Sequence, residues 1–433
     1  MNKHTPRDYS ASEKWLARAE QTIPLGSQTF SKSKTQFPVG AAPLYLEKGK
    51  GAKVWDIDGN EYLDFMNGLL CVSLGYADDD VTQAVYDQIQ TGVSFSLPHK
   101  LEVEVAEKLV ELIPCAEKVR FGKNGSDATS AAIRLARAYT GKDMVLVCGY
   151  HGWQDWYIGS TARNLGVPEA TQALTKSFPF NDIDALKHLV EQYDGQVAAI
   201  IMEPMNVEYP KDGYLAEVQA LAKAHNIVFV FDETITGCRF AKGGAQELFG
   251  VTPDLATFGK GLANGFPLSA IVGKSDIMDL MEDVFFSGTF GGETASLAAA
   301  KVVLDKVDYQ DVPKQLAETG QYLLEGLERL ITKYQCQNFV NTAGHPSWSF
   351  LQIADSNGYT SFELKTLFMQ EMLARGILTF GSHNISLAHS KADIDELLAR
   401  YQEVLPMLKD AITNRTVIEQ LRCQPLEPLF KVR

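Results

Sequence analysis

Lys260 lies in Phe258-Gly259-Lys260-Gly261-Leu262-Ala263-Asn264-Gly265-Phe266-Pro267-Leu268, directly after an apolar run and flanked by glycines. Most lysines are solvated surface charges. Here the glycines let the backbone take unusual angles and let a ligand come close. An amine in such a place can form a Schiff base with an aldehyde. Upstream, the apolar run Phe229-Val230-Phe231 ends on Asp232, followed by Glu233 and Thr234. Open α/β sheets bind ligands at the carboxyl ends of their strands. Alone, a carboxylate there is more often a helix cap or an ion-pair member. With Lys260 downstream on the same sheet edge, a cofactor role is the better reading.

Pyridoxal phosphate needs such a carboxylate. Placed against the pyridine nitrogen, it keeps that nitrogen protonated so that the ring accepts electrons. Two further segments suit the same ligand. Phe121-Gly122-Lys123-Asn124-Gly125-Ser126-Asp127-Ala128-Thr129 leads into a helical pattern. Backbone N–H groups at a helix start favour an anion, and Ser126 adds a hydroxyl. The plain alternative is a capped helix start, and no P-loop pattern is matched. Tyr150-His151-Gly152-Trp153 follows the apolar run Met144 to Cys148. An aromatic ring there can stack on a planar cofactor or belong to a core cluster.

These residues need a scaffold. Candidate strands are Met144 to Cys148, Val197 to Glu203, Ile227 to Asp232, Ala256 to Phe258 and Ser269 to Val272. They are continuous apolar runs, as in a parallel sheet covered on both faces. Helical patterns, including Ala128 to Tyr139 and Leu215 to His225, lie between them. This alternation predicts an α/β domain. Val54 to Leu63 reads as a hairpin turning at Asp58-Gly59-Asn60. Beyond about residue 310 long amphipathic helices dominate: Val312 to Tyr334, Phe362 to Arg375 and Lys391 to Thr413. The expected division is an N-terminal segment (1–60), a large cofactor domain (61–310) and a C-terminal segment (311–433), the two ends packing together as a smaller domain.

Composition narrows the partners. The chain has 433 residues, with 54 acidic and 40 basic side chains and a net charge of -14. A nucleic-acid surface normally needs clustered Lys and Arg, so none is expected. The longest apolar runs are far too short for a membrane span. The start, MNKHTPRDYSASEKW, has no run of signal-peptide length. Six scattered cysteines and eight histidines show no metal-ligand spacing, so no metal is expected. A reducing cytoplasm is the expected compartment.

Taken together, and in this order, the motifs resemble the class III pyridoxal-phosphate aminotransferases of fold type I, with the glutamate-1-semialdehyde aminomutases nearest by motif. The resemblance runs over nearly the whole chain. It starts at Ala19-Glu20-Gln21-Thr22-Ile23-Pro24 and the Asp56 to Gly59 hairpin, and includes Glu203-Pro204. It ends with Gly288-Thr289-Phe290 and Ser386-Leu387-Ala388-His389. It implies a large domain with a mostly parallel central sheet plus a smaller α/β domain from both chain ends. The cofactor would be pyridoxal 5′-phosphate. Lys260 resembles the Schiff-base lysine and Asp232 the pyridinium partner. Gly125 and Ser126 resemble the phosphate cradle, and Tyr150 the stacking residue. Asn206 occupies the place of a Gln near the phenolic oxygen. Thr289 resembles a threonine that reaches the neighbouring subunit's phosphate, which implies a homodimer with shared sites.

Some residues depart from the family pattern. Thr234 stands where Val is usual, Asp127 where Glu is usual, and Ser130 where some members carry a gating Glu. Lys32 stands in for the substrate-carboxylate Arg of the aminomutases, and Gly381 for their Glu before Ser-Leu-Ala-His. The expected activity is therefore transfer of an amino group from a small-molecule donor to a keto or aldehyde acceptor by ping-pong chemistry. The aminomutase reaction is the alternative. A sugar-like acceptor, motivated by the polar His383-Asn384 segment, and a regulatory protein that keeps the fold are lesser ones.

Overall fold

The five candidate strands belong to one seven-stranded sheet. The computed structural model describes residues 7–427. In chain order its strands are β1 (Leu46–Lys50), β2 (Lys53–Asp56), β3 (Glu61–Asp64), β4 (Lys118–Gly122), β5 (Met144–Cys148), β6 (Thr175–Ser177), β7 (Val197–Met202), β8 (Val228–Asp232), β9 (Leu255–Phe258), β10 (Ser269–Gly273), β11 (Val340–His345), β12 (Trp348–Ile353), β13 (Ile377–Leu378) and β14 (Ser382–Asn384). The large sheet runs β4-β10-β9-β8-β7-β5-β6. Its β6, β5, β7, β8 and β9 pair in parallel. The mixed α/β fold with a mostly parallel central sheet is thus as expected.

One strand differs from the expectation. The run beginning at Ser269 pairs antiparallel to both β9 and β4. The reason is the connection. Only the ten residues 259–268, which include the short turn Lys260–Ala263, lie between β9 and β10. A parallel return needs a crossover of a dozen or more residues, whereas an antiparallel one can follow a short turn. Since β10 reverses twice against its neighbours, β4 ends on the same sheet edge as β5, β7, β8 and β9. Every chemistry-bearing turn between residues 122 and 260 therefore opens on that edge.

The helix Gly125–Thr140 covers one sheet face. Ala131, Ala132, Leu135 and Ala136 pack with Val145, Val147, Ile201, Val230 and Ile271 in one buried cluster. The small alanines let the helix sit close to the strands. The burial of this face, about 25 cal/mol per Å² of apolar surface, holds the helix start in register with the strand ends.

The chain divides after Asp78 and after Lys314, where the sequence reading set breaks at 60/61 and 310/311. Residues 79–314 form the unit with the large sheet. The other described unit joins residues 7–78 to 315–427. Its first sheet runs β1-β2-β3-β13, and the β3–β13 pair is parallel. That pairing keeps residues beyond 60 with the N-terminal hairpin. The hairpin turns as expected: Gly59 has φ 87, and Asn60 N donates to Asp56 Oδ1 at 2.7 Å. A second sheet runs β11-β12-β14.

The His383-Asn384 segment, read above as a polar lining, is buried at 0% and 4% exposure. His383 Nδ1 lies 3.0 Å from Ser349 Oγ and Nε2 lies 2.7 Å from Tyr401 Oη. Both nitrogens serve the core, so this segment lends no support to a sugar-like acceptor, whose other motive is the lack of a clear Arg for a second carboxylate. Burial also holds the His383 pKa down at about 3. A group kept neutral in the fold loses stability as the unfolded chain takes up its proton. The contribution is complete above the ordinary value of 6.5 and falls as the pH drops toward about 3. Unfolding free energy should fall by about 1.4 kcal/mol per pH unit from this group between pH 6 and 4. His383→Gln should be less stable at pH 7 but show a shallower slope. Urea melts of both proteins across that range check it, and parallel slopes would refute the assignment.

Candidate active site

Asp232 is the last residue of β8 and is 4% exposed. Its Oδ2 lies 2.8 Å from Nδ1 of the buried His151. Its Oδ1 accepts from Thr257 Oγ1 of the adjacent β9 at 3.2 Å and from Thr234 N at 3.1 Å. Burial alone would raise the carboxyl's pKa. The hydrogen bond and charge of His151, helped by Thr234, outweigh it and hold Asp232 below the ordinary carboxylate range. A fixed negative charge therefore sits at the strand end. The neighbouring Glu233 does different work. It accepts from Thr236 Oγ1, Ala245 N, and both Gln246 N and Gln246 Nε2. These bonds anchor the start of the helix Ala245–Phe249, and burial pushes its pKa up. In the Asp-Glu pair, the first residue faces the site and the second serves the fold.

Gly125 and Ser126 open the helix that follows β4. The first amides of a helix have no acceptor within it, so they are available to an anion. Asp127 closes the turn by accepting from Lys123 N and Asn124 N at 3.0 and 2.8 Å, so the shorter acid does the capping expected of Glu. Trp153 N approaches Ser126 Oγ at 3.4 Å, which brings the Tyr150 segment to this turn. Gly152 is required there: φ is 105, and a Cβ would sit 2.3 Å from Ser126 Oγ.

Tyr150 is half-buried against the core cluster, with its ring edge-on to Tyr157 at 5.7 Å. Its N–H donates to Glu203 Oε2 at 3.2 Å, and Asn206 Nδ2 donates to the same oxygen at 2.9 Å. The buried Glu203 thus ties Tyr150 to Asn206. Lys260 begins its turn with φ 41, in the left-handed region. Beside it, a Cβ on Gly259 would meet Thr234 Cγ2 at 3.3 Å and Gly125 Cα at 3.7 Å. The anion turn, the Asp232 strand end and the lysine turn therefore converge within van der Waals reach.

Thr289 stands apart. It is exposed, and it shares no hydrogen bond with the other candidates among the described residues. His151, Thr257 and Glu203 are the residues that sequence reasoning left without a role. His151 was legible only as the neighbour of Tyr150. No spacing links Thr257 to Asp232 or Glu203 to Tyr150, because those bonds cross between strands, whereas Glu203 and Asn206 are three residues apart in one turn.

The set fits pyridoxal 5′-phosphate. A buried anion at Asp232 suits a protonated ring nitrogen, the helix start suits a phosphate, and Lys260 suits an aldehyde. Comparisons with known proteins agree. The chain is 34% identical over 401 residues to a 3-aminobutyryl-CoA aminotransferase of Cloacimonas acidaminovorans, covering 90% of this chain and 95% of that protein. It is 33% identical over 425 residues to a glutamate-1-semialdehyde 2,1-aminomutase of Aquifex aeolicus, covering 92% and 100%. The FumI protein of Sphingopyxis sp. MTA144, solved with its PLP, matches with TM-score 0.86 and 26% identity over 96% of this chain and 99% of that one. Residues 36–405 match the family Aminotransferase class-III, and the chain belongs to it as a pyridoxal-phosphate-dependent transaminase of fold type I.

Proposed function

We propose that this enzyme transfers an amino group between two separate small molecules, with Lys260 as its catalytic residue. The observation that carries this reading is the buried anion of Asp232, held at 2.8 Å by His151 on the same sheet edge as the Lys260 turn. When bound, pyridoxal 5′-phosphate supplies an aldehyde for exchange with amines and a ring that accepts electrons. Asp232 holds a proton at the ring nitrogen. Gly125 and Ser126 bind the phosphate, and Tyr150 stacks on the ring. Asn206, held by Glu203, orients near the phenolic oxygen. The Lys260 amine takes a proton from the substrate carbon and returns it to the other side of the exchange.

Transfer between molecules is favoured over the aminomutase reaction by Gly381. Its φ is 87, and a Cβ there would meet the Leu351 carbonyl oxygen at 3.1 Å, so the aminomutase Glu would be strained at this position. Lys32 is exposed and offers no bidentate fork. Thr289 is flanked by Phe285 and Phe290, 84% and 60% exposed, which supports a homodimer that brings this threonine to a neighbouring phosphate. Among the described residues no helix is long and apolar enough to cross a membrane. We place the enzyme in the cytoplasm.

A donor screen by single half-reaction tests the function. One relative is named for 3-aminobutyryl-CoA, so β-amino thioesters and β-amino acids belong in it beside α-amino acids. The expected result is conversion of the aldehyde form of the cofactor to its amine form by at least one donor, with the carbonyl product released. Isomerisation of glutamate-1-semialdehyde without any added donor would instead establish the aminomutase.

A further inference from the structure

Thr234 has a buried hydroxyl with no hydrogen-bond partner. It lies in the middle of the convergence described above. A Cβ on Gly125 would meet its Cγ2 at 3.2 Å and its Oγ1 at 3.4 Å, and a Cβ on Gly259 would meet its Cγ2 at 3.3 Å. The hydroxyl comes near enough to Asp232 to favour the charged carboxylate, yet reaches no acceptor in hydrogen-bond geometry. Its backbone N–H already serves Asp232 Oδ1. So the residue is fixed by its main chain, and its side-chain donor is left over.

Physical chemistry makes this choice of residue informative. Valine has the same shape and β-branching, and would fill the space without a polar atom. An unpaired buried hydroxyl destabilises a fold that never completes it. A ligand that brings hydrogen-bonding atoms to this spot offsets the cost once a turn about Cα–Cβ, which exchanges Oγ1 with Cγ2, presents the covered hydroxyl to it. The crevice between Gly125, Asp232 and Lys260 is where the cofactor belongs on the reading above.

We infer that the Thr234 hydroxyl is an additional anchor for the cofactor, completing its hydrogen bond only when pyridoxal 5′-phosphate is bound. The inference rests on the proposed site. It adds a polar contact in a position that packing alone would leave apolar. The opposite view is that Thr234 merely fills space. The two views differ in sign. If the hydroxyl only fills space, Thr234→Val removes an unpaired group and leaves cofactor retention equal or better. If it is an anchor, the same change stabilises the cofactor-free protein but weakens its hold on the cofactor.

The experiment compares wild type, Thr234→Val and Thr234→Ser. Cofactor release from the loaded enzymes is followed by absorbance after dilution into a scavenger, and thermal melts are run on loaded and stripped protein. The expected result is release at least about ten-fold faster for Val, near wild type for Ser, with the stripped Val protein melting no lower than wild type. Release from Val at or below the wild-type rate overturns the inference. Should Val not fold, Thr234→Ala gives the same reading: fast release supports the anchor and wild-type release overturns it. A wild-type protein that takes up no cofactor would sink the proposed site itself, a distinct outcome.

Discussion

Lys260→Ala abolishes transamination while leaving a folded protein that still takes up pyridoxal 5′-phosphate. A loss of at least about 10³-fold is expected, because one amine supplies both the covalent attachment and the proton transfer. The fold should survive because Lys260 is a partly exposed turn residue, not part of the buried cluster. Binding should survive because the phosphate turn, Tyr150 and Asp232 stay in place. Lys123, the nearest in sequence to the anion turn, is ion-paired to Glu293 at 3.1 Å. Borohydride reduction of the wild-type enzyme followed by peptide mass mapping should put the label on Lys260. A label on another lysine, or appreciable turnover by the variant, would sink the assignment.

The second large effect is expected at Asp232. Asp232→Asn keeps the shape and one oxygen for His151 but removes the charge. The ring nitrogen then loses the partner that keeps it protonated, and turnover should drop about 10²- to 10³-fold, the cost of removing one preorganised electrostatic group. Cofactor uptake should persist through the phosphate turn. The carboxylate also has a pH signature. Its folded pKa lies below the ordinary 3.8, so its contribution to stability is present above 3.8 and is lost as the pH falls through the lower folded value. The wild type should therefore gain stability relative to Asp232→Asn as the pH rises through the acid range toward 3.8, and hold that gain above. Half-reaction rates and acid titrations of the two proteins check both effects. Equal half-reaction rates would remove Asp232 from the mechanism.

The two residues that carry these predictions were legible in the sequence for a physical reason. Asp232 ends an apolar run and Lys260 follows one closely, in a glycine-flanked turn, and buried parallel strands write their ends plainly. The helix start at Gly125 was legible for the same kind of reason, a cluster of small polar residues before a periodic segment. The direction of β10 was not, because an apolar run carries no sign of which way it pairs. Nor were the bonds from His151 to Asp232 and from Tyr150 to Glu203. They depend on which strand ends become neighbours, and the order β9-β8-β7-β5 is a property of the assembled sheet. His383 failed in the opposite way. A His-Asn pair looks solvent-facing as a string, but two hydroxyls from distant strands and helices make it a core residue.

The edge position of β4 has a consequence for the order of assembly. The Gly125 helix hangs from a strand whose sheet partner, β10, ends only at Gly273. As the chain leaves the ribosome, the turn proposed to bind the phosphate is synthesised first among the site's parts, yet the strand that carries it finds its sheet partner only once β10 is made. Closing so long a loop is slow relative to local helix formation. Until then the growing polypeptide has an unpaired strand edge, a hazard for aggregation. A nascent chain stopped before Ser269 would already hold Lys260 and Asp232, with the Gly125 helix able to pack on β5, β7 and β8 but with β4 still unpaired.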